Sequence, residues 1–222
     1  SPTTFEIRPG VVVKFENARI TTSRGTLVAE GTPDNPIVFT SVLDDAVGLP
    51  ARTSDGAPAP GDWEGLVFTA TGGGGRLKHV QIRYTGGANT PAVTVGKRGI
   101  PVDHVKISDG SNVGILIDIP ATDLSVSPVS VVDSEIKNMF GDAVKITAQA
   151  ASRVDPTIER TRIERCQAVI RMDANVQLTL RDNTIGENVL NGIAVSGTVN
   201  ELRRWSKSNL AYVLAPSVQI GA

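Results

Sequence analysis

Asp133 and Glu135 stand two residues apart in the segment VVDSEI (131–136). If that segment is a strand, both carboxylates project from one face with their backbones about 7 Å apart. Carboxyls separated by roughly 6.5–9.5 Å can act as general acid and general base in inverting glycoside hydrolysis. His79 and His104, the two histidines of the chain, occupy matching places in LKHVQI and VDHVKI. With Asp133 in the same setting, they offer the donor types that hold a divalent metal. Asp44, Asp45, Asp55 and Asp62 lie in or beside a stretch rich in Gly, Pro and Ala, 42–63, and a calcium ion there would need about six to eight oxygens. Trp63 at the end of that stretch could present an indole face to a sugar. Cys166 is the single cysteine, so it has no internal disulfide partner and no companion for a thiolate metal site.

Each candidate has a plainer reading. Lys106, Lys137, Arg160 and Arg162 occupy the positions around Asp133 and Glu135 in the repeat alignment below, and cations keep both acids ionised. A general acid needs a raised pKa, so the expectation is that the pair is not catalytic. Stacked surface histidines are commonly tolerated without a ligand, and the expectation is no resident metal. ARTSDGAPAPGD (51–62) lacks most of the acidic ligands of a calcium loop, which leaves its Asp residues as turn formers, with Asp62 capping the turn before Trp63. Trp63 is expected to pack as a large apolar body over the base of the loop. Cys166, in ERCQAVIRM, reads as a small buried hydrophobe. TGGGG (71–75) lacks the Lys-Ser/Thr and the helix of a phosphate loop.

The elements that must position these residues repeat. LKHVQI ends at Ile82, VDHVKI at Ile107, VVDSEI at Ile136, IERTRI at Ile163 and LRDNTI at Ile185, at intervals of 25, 29, 27 and 22 residues. A turn follows each, then a second apolar run: AVTV (92–95), GILI (114–117), AVKI (143–146), AVIRM (168–172) and GIAV (192–195). Several short strands per period of this length, without helical periodicity, indicate a solenoid. The fixed Leu/Asn offsets of a leucine-rich repeat are absent, and a propeller blade needs about 40 residues. A right-handed parallel β-helix of roughly seven to nine coils fits best, with the five isoleucines as one inward column. Alternation then turns Val80 inward and His79, Gln81 and Arg83 outward. The following outward rows are His104, Lys106, Ser108; Asp133, Glu135, Lys137; Arg160, Arg162, Glu164; and Asp182, Thr184, Gly186. Opposite charges fall on neighbouring rungs: Lys106 over Glu135 over Arg162, and Lys137 over Glu164.

Further motifs carry a resemblance. FEIRPGVVVKF, GTLVAEGTPDNPIVFTS, GDWEGLVF and LKHVQIRYTGG follow one another between Phe5 and Gly87. They resemble the right-handed β-helix repeat region of large secreted or cell-surface bacterial proteins, closely there and more loosely over 88–195. The resemblance implies an architecture and no particular activity. RWSKSNLAYVLAPSVQIGA (204–222) is similar to the lead-in that precedes such a first motif, so 201–222 is a candidate C-terminal cap or next-repeat lead-in. Within it, 201–214 is the candidate for a partial C-terminal cover.

Composition sets the remaining bounds. The chain has 222 residues, 40% of them hydrophobic, with a net charge of −1. That is enough for one all-β domain with a real core, and it gives no reason to expect nucleic acid as a partner. No apolar run is long enough to insert in a membrane as a helix. The reading is therefore one all-β domain, 1–222, interrupted by a long loop at 42–63. Its expected role is a non-catalytic structural or adhesive module of a secreted or surface-attached bacterial protein, one unit of a larger or tandem assembly. Expected partners are neighbouring repeat units or surface proteins, with polysaccharide as a further candidate and an extracellular or cell-surface location. No cofactor is expected, calcium being the one ion considered. The alternatives are a carbohydrate-binding or polysaccharide-cleaving β-helix, which would need exposed aromatics that a 4% aromatic content hardly supplies, and a trimeric phage tail-fibre or spike fragment.

Overall fold

β-branched residues restrict their own χ1 and pack well on a pleated surface. Val, Ile and Thr accordingly recur through the twenty strands of the described residues. The structure, a computed structural model, describes residues 3–51, 56–72, 74–97, 99–120, 129–148 and 154–221. The first coil is β1 (Thr4–Ile7), β2 (Val12–Phe15) and β3 (Arg19–Thr22), and the second is β4 (Thr26–Glu30), β5 (Ile37–Ser41) and β6 (Gly65–Phe68). In the third coil β7 (Gly74–Arg83) bends to serve two faces before β8 (Val93–Val95). In the fourth, β9 (Pro101–Gly110) does the same before β10 (Ile115–Ile119). The fifth coil is β11 (Ser130–Val132), β12 (Glu135–Met139) and β13 (Val144–Ala148). The sixth is β14 (Thr157–Glu159), β15 (Arg162–Glu164) and β16 (Ala168–Asp173). The seventh is β17 (Thr179–Arg181), β18 (Thr184–Ile185) and β19 (Leu190–Val199), and β20 (Ala211–Ile220) adds an eighth rung to the third face. All pairings are parallel, each strand lying on its counterpart one coil earlier.

The expected isoleucine column is present in register. Phe39 pairs with Ile82, Ile82 with Ile107, Ile107 with Ile136, Ile136 with Ile163, and Ile163 with Ile185. Val13 extends the column by one rung, through Phe39. That column lies on the second face; the first face contributes Ile7, Ala29, Leu77, Val102, Val131, Ile158 and Leu180. The third contributes Leu66, Val93, Ile115, Val144, Ile170 and Ile193. These columns meet in one continuous core, and burying each such side chain stabilises by about 1.5–3 kcal/mol.

One expectation needs correcting. Residues 79–83 do not lie on a single flat strand. His79, His104, Asp133, Arg160 and Asp182 all adopt the left-handed conformation, with φ of 47°, 53°, 49°, 46° and 51°. Each makes a one-residue corner between the first and second faces. Two consecutive residues therefore point outward, Lys78 with His79 and Asp103 with His104, between the inward pairs Leu77 and Val80, and Val102 and Val105. The ladder skips a step there, and side chains repair it lower down. Ser134 accepts from the Val105 amide (3.0 Å), and Asn183 accepts from the Thr161 amide (2.9 Å) while donating to the Ile158 carbonyl (2.9 Å). A second left-handed corner follows the second face at Tyr84, Asp109, Asn138 and Arg165. There Asn138 donates to Asp109 (2.7 Å) and Arg165 donates to Asn138 (2.6 Å).

The loop after β5 leaves the stack and returns at Trp63. Its base is tied by buried hydroxyls: Thr40 donates to Asp44 (2.6 Å) and Ser41 to Asp62 (2.5 Å). Gly65 opens β6 at φ +90°, where an added Cβ would lie 2.4 Å from the Pro91 carbonyl oxygen. At the far end, residues 200–210 carry no strand. Trp205 stacks on Tyr212 (5.1 Å between centroids) and Arg203 donates to the Asn175 carbonyl (2.6 Å), while Leu214 and Ile220 stay exposed. No helix among the described residues is long and apolar enough to cross a membrane.

Candidate functional site

The corners place the chemistry. The left-handed turn at 79, 104 and 133 tips consecutive rungs over the edge between two faces, beside the loop carrying Thr32, Pro33 and Pro36. A groove of about 570 Å³ results, lined at its polar side by His79, Gln81, His104, Lys106, Asp133, Glu135 and Arg162. The structure thus brings together four of the residues singled out from the sequence, His79, His104, Asp133 and Glu135. The imidazoles of His79 and His104 lie 4.5 Å apart, tilted by 46°. Asp103 Oδ1 lies 2.5 Å from His104 Nδ1. One donor atom from each of Asp103, His104 and Asp133 lies within 4.8 Å of the others.

Every acid in the groove has a cation. Arg160 grips Asp133 with two hydrogen bonds, Nε to Oδ1 (2.7 Å) and Nη2 to Oδ2 (2.9 Å), and also contacts Glu159. Glu135 pairs with Lys137 at 2.7 Å. Below the groove, Glu164 accepts from Arg162 (2.6 Å) and Arg165 (2.7 Å). The Arg160 hydrogen bonds hold the Asp133 carboxyl below the usual carboxylate range, and those from Arg162 do the same for Glu164. Partial burial, then the neighbouring His104 and Lys78, lower the His79 pKa. The backbone register stacks Lys106 over Glu135 over Arg162 as expected. The contacts Lys137–Glu135 and Arg162–Glu164, however, run along a rung, because these side chains are long enough to span the ~7 Å between positions i and i+2.

The remaining candidates lie elsewhere. Trp63 is 0% exposed, stacks on Phe15 (4.1 Å, 6°) and donates its indole N–H to the Arg83 carbonyl (2.6 Å), so it offers no face to a sugar. Asp44, 1% exposed, accepts from Thr40, the Ala46 amide and Arg83. Asp45 faces Lys14 at 3.6 Å, and Asp62 takes Ser41 and the Ala59 amide. Among the described residues these three do not gather into a ligand set. Asp55 lies outside the described residues. Cys166 is buried, and burial pushes its thiol up to about 11.

Sequence reasoning missed Asp103. Counting alternately back from Ile107 turns residue 103 inward, whereas the extra outward residue at the corner brings it beside His104. A histidine, an aspartate and an arginine recurring at one offset were the available signal, since a polar residue repeated at a strand bend marks a left-handed corner.

The twenty parallel strands of the described residues, stacked coil on coil, define a right-handed β-solenoid carrying a polar groove along one corner. The family described as the right-handed beta helix region matches residues 77–204, more than half of the chain, and the chain belongs to that family. No curated protein and no solved structure matches it.

Proposed function

We propose that the chain is a non-catalytic structural or adhesive module of a secreted or surface-attached bacterial protein, with neighbouring repeat units or other surface proteins as its partners. The observation that carries this reading is the state of the two acids best placed for chemistry. Asp133 is clamped by Arg160, and Glu135 is paired with Lys137. Neither sits in the apolar surroundings that raise a carboxyl to act as general acid. Seven coils of in-register columns support a rigid spacer, with a stack of about 4.8 Å per rung.

A panel of plant, microbial and animal polysaccharides incubated with the purified chain tests it, with new reducing or unsaturated ends as the readout. No product is expected. Cleavage that Glu135→Gln abolishes would overturn the proposal.

The groove supports a second reading, carbohydrate binding without cleavage, because Gln81, Lys106, Glu135 and Arg162 offer donors and acceptors in one open trough. Retention of one glycan class on an array, lost in Arg162→Ala, would favour it.

A further inference from the structure

The groove contains a set of donors that neither a structural wall nor a sugar site requires. Three successive rungs deliver His79, His104 and Asp133 to the same corner, and the left-handed backbone points all three outward. Two imidazoles 4.5 Å apart supply two nitrogen donors on neighbouring rungs. Asp133 supplies oxygen on the next. Asp103 sits behind His104 with its carboxylate on Nδ1. That hydrogen bond fixes the ring and leaves Nε2 as the free donor, and a carboxylate on the second nitrogen is the usual partner of a metal-ligating histidine.

We propose that His79, His104 and Asp133 bind one divalent transition-metal ion, with Zn2+ the best-suited probe, and that Asp103 positions the His104 ring. Zinc takes imidazole nitrogen at about 2.0–2.1 Å and carboxylate oxygen at about 2.0–2.2 Å. Donors around such an ion stand roughly 3.3 Å apart; a ring nitrogen of His104 and a carboxylate oxygen of Asp133 already lie within 4.8 Å of each other, and the His79 ring stands 4.5 Å from that of His104, centroid to centroid. Two histidine nitrogens select against calcium and magnesium, which want oxygen alone. Three protein ligands leave one position open to water or to a ligand in the groove.

The present occupants of the acids are cations. Arg160 holds both oxygens of Asp133, and Lys78 lies 3.6 Å from Asp103. The ion replaces one positive charge by another at Asp133, and Arg160 keeps Glu159 as its second partner. Bound there, the ion ties the third, fourth and fifth coils together across a corner at which the backbone ladder skips a step. This site does not depend on the structural reading of the whole chain.

The experiment is calorimetric titration of the purified chain with ZnCl2 in a non-chelating buffer, with proton NMR of the imidazoles in parallel. The chain has two histidines, so single substitutions assign both sets of ring signals. His79→Asn and His104→Asn are the appropriate variants, since Asn tolerates the left-handed backbone and the corner survives. Expected are saturation at one ion per chain, perturbation of both imidazoles, and a rise in the thermal midpoint on adding zinc. Either variant should raise Kd at least about tenfold, equal to ~1.4 kcal/mol, and the double variant should abolish binding. Excess CaCl2 should not compete. Absence of saturable uptake, uptake unchanged in the double histidine variant, or displacement by calcium would each overturn the proposal.

Discussion

Replacing Trp63 separates a packing role from a ligand-binding one. The side chain is wholly buried, lies flat on Phe15 and closes a hydrogen bond to the Arg83 carbonyl. Truncation to alanine removes a large aromatic body from a close-packed site, which costs about 3–5 kcal/mol. It also removes the donor of the Arg83 carbonyl, and an unpaired buried acceptor accounts for about 1–3 kcal/mol within that loss. Trp63→Phe keeps a ring against Phe15 and loses the donor, so it should cost about half as much. The two aromatics are coupled, and a double-mutant cycle with Phe15→Leu should return about 0.5–1.5 kcal/mol. The assay is urea unfolding followed by far-UV circular dichroism and tryptophan fluorescence. Trp205, the other indole, lies near the C-terminal end and supplies a second probe of a different region. Wild-type emission should contain a blue-shifted component that Trp63→Phe removes. An alanine variant destabilised by less than ~1 kcal/mol, or no blue-shifted component, would refute the placement of this ring in the core.

Three further outcomes are expected. Ile136→Ala, in the middle of the inward column, should lower stability by about 2–5 kcal/mol in the same urea assay, whereas Lys137→Ala beside it should change stability by less than ~1 kcal/mol. The Glu164 carboxyl titrates below its ordinary value in the folded state, so the unfolded chain binds its proton first as pH falls; the stabilisation is complete above the ordinary carboxylate range and is lost below it. Glu164→Gln should flatten the fall in urea midpoint between neutral pH and about pH 3. Cys166, 2% exposed with its thiol pushed up to about 11, should resist a disulfide reagent in the native state and react at once in urea; rapid native reaction would contradict its burial.

The coil was legible because one residue type recurs at one structural position. Ile82, Ile107, Ile136, Ile163 and Ile185 mark the second face directly, and the runs beginning near Ala92, Gly114, Ala143, Ala168 and Gly192 mark the third. The column's first members, Val13 and Phe39, did not align, because the loop after β5 stretches the interval from Phe39 to Ile82 to 43 residues. The corners were the opaque part. Left-handed backbone is usually announced by glycine, yet here it is adopted by His, Asp, Arg, Asn and Tyr. Each costs on the order of 1 kcal/mol in intrinsic strain, held in place by the coils on either side. Period-two counting fails across such a residue. For that reason the outward set 79, 81, 83, half-buried in the structure, came with residue 103 turned the wrong way and without the second ladder through Asp109, Asn138 and Arg165.

The parallel pairing also sets the mechanics of the molecule. Its interstrand hydrogen bonds run along the stacking axis, so a pull between the two ends loads them in tension, few at a time, instead of shearing a whole sheet at once. The end coil should peel first and its neighbours should follow singly. At about 3.3–3.6 Å of contour per residue, intervals of 22 to 29 residues release roughly 70–105 Å for each coil lost. A pull across the axis instead meets the close-packed columns of three faces. The same polymer is then a spring reel lengthwise and a strut crosswise, and a corner bridged by a metal ion would be the place where the reel catches.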